Sequence, residues 1–159
     1  SIEHHVGEPF VVERQHQIGN YADFCNDCGN CDIFCPEDGG PYVEKPRFFG
    51  SLQSFEASAK HGGFFIEAST DLIKARARID GRDYAIEIER GSGGARFSDD
   101  VIELILAPKT GVIEASRLVA GAEAPAGHSL STHPAKSMLT IISAVLDETR
   151  PNPLTALGN

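Results

Sequence analysis

Four cysteines, Cys25, Cys28, Cys31 and Cys35, stand within eleven consecutive residues, and the chain has no others. They run C-x2-C-x2-C-x3-C and are followed at once by Pro36. Thiolates at this spacing are the ligand pattern of a [4Fe-4S] cluster. Three of them, two residues apart, can wrap one corner of a cubane. Gly29 lets the backbone pass close to an inorganic sulfur, and Pro36 turns the chain away. Two other uses of the thiols fit less well. Nothing marks the chain for export, and disulfides between such close neighbours would close strained loops. Structural zinc commonly takes two cysteine pairs about a dozen or more residues apart. The expected ligands, for metal and cofactor alike, are therefore Cys25, Cys28, Cys31 and Cys35.

The spacing carries a difficulty of its own. In a two-cluster arrangement the cysteine before the proline ligates the other cluster. Cys25, Cys28 and Cys31 would then hold three irons of one cubane while Cys35 reached towards a second, and no fifth cysteine exists here. Four solutions stand open. A second cysteine motif lies upstream on the same polypeptide, or on a partner redox subunit; two copies of the chain form a homodimer exchanging Cys35; or all four cysteines share one distorted site. Ser1, standing where an initiator methionine would, favours a piece of a longer chain.

Charge gathers at the same place. Residues 1–40 carry a net −7 and residues 41–159 only −2, within a total of −9. This acidity suits a solvated surface or a face that attracts a basic partner. Asp23, Asp27 and Asp32 should lower a nearby cluster's potential, while Phe24, Ile33 and Phe34 are candidates to keep water away. The histidines are scattered singly, His4 and His5 in a mobile start and His16, His61, His128 and His133 beyond it. They read as surface or capping residues, and no catalytic residue is assigned.

The elements that must position the cysteines are few. Before them, Phe10-Val11-Val12 could form a short strand; after them, Pro36-Glu37-Asp38-Gly39-Gly40-Pro41 is a dense turn cluster. So small a segment cannot bury enough apolar surface to stabilise itself and needs a metal or a partner. Five of the nine phenylalanines lie between Phe48 and Phe65, an aromatic cluster expected to pack the following region against the cysteines. Ser51 is a plausible N-cap for a helix Leu52–Lys60 ending at Gly62-Gly63.

Leu72–Glu89 reads as a hairpin with Asp80-Gly81 at a type I′ turn. One register puts Ile79 opposite Arg82, Ala77 opposite Tyr84, Ala75 opposite Ile86 and Ile73 opposite Ile88. The same register pairs Lys74 with Glu87 and Arg78 with Asp83 on the other face. Gly91-Ser92-Gly93-Gly94 is a flexible connection without the lysine and hydroxyl of a phosphate loop. Ser98, with Asp99 and Asp100 behind it, reads as the start of a short helix. Pro134 should open an amphipathic helix of about four turns with Met138, Ile141, Ile142, Val145 and Leu146 on its apolar face.

The expected fold class is α+β: half of a ferredoxin-type iron–sulfur module followed by a small accessory domain with an antiparallel hairpin and two or three helices. The divisions are an iron–sulfur segment 1–48, an accessory domain 49–149 with a flexible linker at about 120–127, and a disordered tail 150–159. Counted with glycine and without tyrosine, about 49% of the residues are apolar, inside the roughly 45–50% of globular chains, so most of the chain should fold. Its apolar stretches fall well short of the roughly 20 residues that cross a bilayer, so no membrane span is expected. A net charge of −9 without a basic cluster argues against nucleic acid. Cytoplasmic location is the expectation.

The stretch from Asn20 through the four cysteines to Tyr42, continuing over Lys45-Pro46-Arg47-Phe48, resembles the C-terminal end of the family named "putative selenate reductase iron–sulfur subunit". Those large chains are themselves similar to the glutamate synthase small subunit and to the N-terminal half of dihydropyrimidine dehydrogenase. The resemblance is specific over residues 20–48 and looser over the hairpin and following helix. It implies that Cys25, Cys28, Cys31 and Cys35 ligate a cluster in an internal electron relay. It also implies a second cysteine run upstream and, before both, a region binding FAD and NADPH. No Gly-x-Gly-x-x-Gly stands in this chain, so those cofactors would belong to the absent upstream part. A molybdenum-containing hydroxylase or another reductase subunit would fit as acceptor. The expected function is thus electron transfer through a 4Fe-4S cluster within a larger oxidoreductase. The alternative is a non-redox module, folded by a cluster or by zinc, that docks a partner subunit.

Overall fold

A computed structural model describes residues 2–13, 18–34, 40, 42, 45–91, 94–107 and 109–147. In chain order these form β1 (Asn20–Tyr21), a single 3-10 turn (Ala22–Phe24), α1 (Asn30–Phe34), β2 (Arg47–Phe49), α2 (Leu52–Ala57), β3 (Gly63–Ala68), β4 (Leu72–Ile79), β5 (Arg82–Glu89), β6 (Ala95–Ser98), β7 (Ile102–Leu106), β8 (Ile113–Leu118) and α3 (His133–Val145).

The hairpin of β4 and β5 pairs in the register its residues dictate, from Leu72 opposite Glu89 to Ile79 opposite Arg82. Asp80 and Gly81 both have positive φ, 51° and 74°, as a type I′ turn requires. Around this hairpin the eight strands join one sheet in sequential order. From β3 to β8 every pairing is antiparallel, whereas β1 with β2 and β2 with β3 are parallel. Parallel neighbours need a long crossover. Between β2 and β3 that crossover carries α2; between β1 and β2 it is the cysteine segment itself.

Alternation divides the sheet into a dry and a wet face. Ala75, Ala77, Ile86, Ala95, Phe97, Leu104 and Leu106 form the dry face, against which α3 lays Ala135, Met138 and Ile142. Tyr84 and Phe97 stack within it at 5.6 Å. The wet face carries cross-strand ion pairs: Lys74 with Glu87, Arg78 with Asp83, Arg96 with Glu87, and Arg117 with Glu103. On that face α2 tucks in Phe55, which meets Phe49 edge-on at 5.5 Å and lies under the Arg78 guanidinium at 4.7 Å.

Several expectations need correcting. No helix follows Ser98. Asp99 instead bridges β6 to β7, its Oδ1 accepting from the backbone N–H of Val101 and Ile102 at 2.8 and 2.7 Å. The same side-chain acceptor that would cap a helix here closes a turn. Ile102, Leu104 and Leu106 gain full burial as a strand beside Phe97, and that outweighs the local helix-start signal. The helix after Ser51 stops at Ala57, three residues early, because Arg78 draws the carbonyls of Ser58 and His61 to the sheet at 3.1 and 3.4 Å. Phe10-Val11-Val12 is not a strand; Phe10 packs edge-on against His133 at 5.1 Å. Nor is the start without contacts, since His4 Nε2 lies 2.9 Å from Ser116 Oγ and Ile2 packs against the core. The strand Arg47–Phe49 runs across position 48, where the iron–sulfur segment was expected to end. Residues 120–127 form turns without helix or strand. His16, the centre of the 91–94 connection and the tail 150–159 lie outside the described residues.

Candidate metal centre

Parallel pairing of Asn20 with Arg47 and Tyr21 with Phe48 places the two ends of the cysteine crossover side by side at the sheet's edge. The 3-10 turn leaves β1 directly, and the Cys25 backbone N–H closes it on the Ala22 carbonyl at 3.0 Å. Cys25 is half-buried there. Cys28 is exposed, its backbone N–H donating to Asn26 Oδ1 at 3.3 Å. Cys31, also exposed, sits in the five-residue α1, whose first turn holds Asp32. All three are free thiols. Cys35 and, apart from Gly40, the turn cluster from Pro36 to Pro41 lie outside the described residues.

Between the cysteines the backbone takes left-handed conformations at Asp27, φ 52°, and at Gly29, φ 75°. Such positions bend a short loop back on itself, and only glycine adopts them without steric cost. The donor set suits an iron–sulfur cluster chemically: soft thiols on a tightly turning loop with a glycine between them. Among the described residues, however, no three Cys, His, Asp or Glu side chains converge as a metal site. The expected water shield is not formed either. Phe24, Ile33 and Phe34 are 82%, 76% and 87% exposed. No residue between 18 and 34 is buried; Phe24 stacks on the Tyr21 ring at 5.1 Å yet stays open to solvent on its other side.

The acidic residues do different jobs. Asp23 Oδ2 accepts from the Gly50 backbone N–H at 2.9 Å, tying the 3-10 turn to the end of β2. Together with burial, Asp23 also raises the Tyr21 phenol, burial being the larger cause. Asp32 is exposed. Asp27 is the connected one. Its Oδ1 accepts from the Cys25 thiol at 3.4 Å and from Arg47 Nη2 at 3.4 Å, and its Oδ2 lies 3.8 Å from His61 Nε2. Arg47 Nη2 also donates to the Tyr42 carbonyl at 2.7 Å. The Arg47 side chain is only 8% exposed. These residues line an open groove of about 520 Å3 with Lys60 and Phe64. A smaller hollow of about 260 Å3 lies on the wet face between Arg76, Ala85, Glu87, Arg96, Ser98 and Glu103, with neither cysteine nor histidine in its walls.

Arg47 and His61 are thus neighbours of the cysteine loop that no spacing rule identified. The loop's turn residues were legible in the sequence, but their neighbours come from the far side of a crossover and from the bend that leads into β3. His128 also has a specific partner, contrary to its reading as a lone surface residue: its Nε2 lies 2.8 Å from Asp99 Oδ2.

No helix among the described residues is long and apolar enough to cross a membrane. No family model matches the chain, and no solved structure matches it. Over 66 residues it is 35% identical to the protein named "Putative oxidoreductase YgfK" of Escherichia coli K12, and the same likeness holds for the protein of that name in Escherichia coli O157:H7. The match takes in 42% of this chain and 6% of each relative, so the chain spans a small fraction of the curated relatives it matches.

Proposed function

We propose that this chain carries electrons through a [4Fe-4S] cluster bound by Cys25, Cys28 and Cys31 with Cys35, as a relay module of a larger flavin-dependent NAD(P)H oxidoreductase. The observation that carries the reading is the C-x2-C-x2-C-x3-C-P run on a loop turned by Asp27 and Gly29. Likeness to proteins named as oxidoreductases supports a redox role in general. The finer assignment rests on the cysteine spacing and on the family resemblance of residues 20–48. When bound, the cluster supplies one-electron transfer without making or breaking a covalent bond in the protein.

The chain's own residues do the rest. The cysteines provide the ligands, and β1 with β2 holds the two ends of their loop. Half-buried Cys25 marks the protein side of the site, while exposed Cys28 and Cys31 face outward, where an electron donor or acceptor can approach. In this reading the segment is half of a ferredoxin-type module. A second cysteine run, on the same polypeptide, on a partner redox subunit or on a second copy exchanging Cys35, completes it. FAD and NADPH sites belong to a part of the enzyme outside this chain, and the cytoplasm, which keeps thiols reduced, is the setting.

Anaerobic reconstitution of the 159-residue chain with ferrous iron and sulfide tests this. The expected result is a brown protein with near-equal iron and sulfide and, after chemical reduction, an electron paramagnetic resonance signal. Iron per chain measured beside mass in solution separates a self-contained site from one shared across a dimer. A colourless chain holding one zinc, or a cluster that no donor reduces, overturns the relay.

A further inference from the structure

We propose that Arg47 is a positioning residue for the cysteine loop: it holds the Asp27 carboxylate, and thereby sets both the shape of the loop and the charge felt at Cys25. The assignment rests on the cluster reading above and deepens it.

Three observations carry it. The first is backbone conformation. Asp27 and Asp80 are the two non-glycine residues with positive φ among the described residues, at 52° and 51°. Asp80 is held by eight paired residues on either side of its turn. Asp27 has no strand beside it and no buried neighbour within its segment, so its left-handed conformation is held by what its side chain grips. A strained position of this kind persists only when its surroundings over-determine it.

The second is burial. A guanidinium 8% exposed must be paired and hydrogen-bonded, because an uncompensated buried charge is strongly unfavourable. One nitrogen of Arg47 serves both the Tyr42 carbonyl and Asp27. It therefore links the chain on both sides of the crossover: Asp27 near its start, Tyr42 near its end. Gly63 lets β3 run this close to β2, since a Cβ there would come within 2.7 Å of the Arg47 carbonyl.

The third is the chemistry of Cys25. Its thiol donates to the same Asp27 oxygen that Arg47 holds. Metal ligation needs the thiolate. Once that proton is gone, the carboxylate has lost a donor and faces a second negative group. The buried guanidinium against the same oxygen offsets this, and it offsets in part the extra negative charge that arrives on reduction. His61 Nε2, 46% exposed and 3.8 Å from Asp27 Oδ2, stands beyond hydrogen-bond distance, which leaves Arg47 as the hold on this carboxylate.

The test uses Arg47→Gln, Arg47→Lys and Asp27→Asn in the 159-residue chain. Without metal, amide exchange at residues 25–31 should quicken about tenfold in Arg47→Gln while amides of Tyr84 and Ile86 keep the wild-type rate; Arg47→Lys, which keeps the charge, should stay within about twofold. After anaerobic loading, Arg47→Gln should lower the reduced-to-oxidised ratio at fixed solution potential about tenfold, 59 mV for a one-electron couple. Asp27→Asn should raise it, and Arg47→Lys should stay near wild type. Opposite shifts from the two partners are the signature a merely structural role does not produce. If Arg47→Gln takes up no iron, a raised ratio in Asp27→Asn beside an unmoved Arg47→Lys decides for the assignment, and any other pattern decides against it. Potentials unmoved in loaded variants, or moved the same way, overturn the assignment and leave the cluster reading intact. A wild-type chain that takes up zinc in place of iron overturns the cluster reading, whereas unchanged loop exchange in metal-free Arg47→Gln overturns the anchor whether or not iron is bound.

Discussion

Residues 18–34 and the sheet from β4 to β7 contain the same kinds of side chain put to opposite ends. Phe97 is completely buried, stacked on Tyr84 beneath α3, whereas Phe34 is 87% exposed on a five-residue helix. Asp80 sits in a turn flanked by two eight-residue strands; Asp27 has nearly the same φ in a loop flanked by neither. The sheet region is stabilised by its own apolar burial, which at about 25 cal/mol per Å2 accumulates over a dozen core residues. The cysteine segment has no such reserve. Beyond the two-residue pairing of β1 with β2, its described side-chain links are polar: Asp23 to Gly50, and Asp27 to Arg47 and His61. Under the cluster proposal such a segment would take its order from the bound cluster, because metal-binding free energy is then folding free energy.

That contrast can be broken or sharpened by experiment. The largest effect belongs to Cys28→Ser, which should abolish iron uptake and remove any metal-induced amide protection over residues 20–34, while the unfolding midpoint of the sheet stays put. A shift of that midpoint would mean that the two regions fold as one. Next comes a pair of like substitutions. Phe97→Ala should cost about 3–5 kcal/mol in denaturant unfolding, and Phe34→Ala within about 0.5 kcal/mol, because one opens a cavity and the other removes a solvated side chain.

Equal costs in that pair would dissolve the comparison. Ser51→Ala should then cost about 1 kcal/mol, through loss of the capping box in which Ser51 Oγ accepts from the Ser54 N–H at 3.1 Å and Ser54 answers. The smallest effect is an acid one. Burial alone would raise the Asp99 carboxyl, but the N–H groups of Ile102 and Val101 and the His128 side chain outweigh it and leave the carboxyl below its ordinary 3.8. A depressed carboxylate contributes stability that is present above its unfolded value and lost as pH falls through the folded one. The sheet should therefore lose stability below about pH 4, and Asp99→Asn should flatten that slope in acid-denaturation curves.

Much of the sheet was legible because its signals were local and mutually consistent. The hairpin register follows from Asp80-Gly81 and from two faces that agree residue by residue, and Pro134 with Met138 and Ile142 marks α3 by period alone. Ser98-Asp99-Asp100 misled because a side-chain oxygen that caps a helix closes a strand-to-strand turn equally well; the choice was made by Phe97 and Leu104 lying on one face. Leu52–Lys60 overran because nothing near Ala57 announces that Arg78, two strands away, takes the carbonyls beyond it. At the cysteines, residue type and spacing were plain, and the turn chemistry at Asp27 and Gly29 was available to a reader. Arg47 and His61 were not, since each reaches Asp27 only after β1, β2 and β3 align.

The sequence by itself determined the spacing of the thiols and the register of the central hairpin, because both depend on residues within one or two turns of chain. Tertiary structure alone decided that the cysteine segment is the crossover between two parallel edge strands, that Asp99 closes a turn rather than caps a helix, and that a buried arginine from β2 stands against the cysteine loop. Each of those outcomes is an exchange between distant groups, a burial or a charge pairing, whose free energy exists only once the sheet has brought them together.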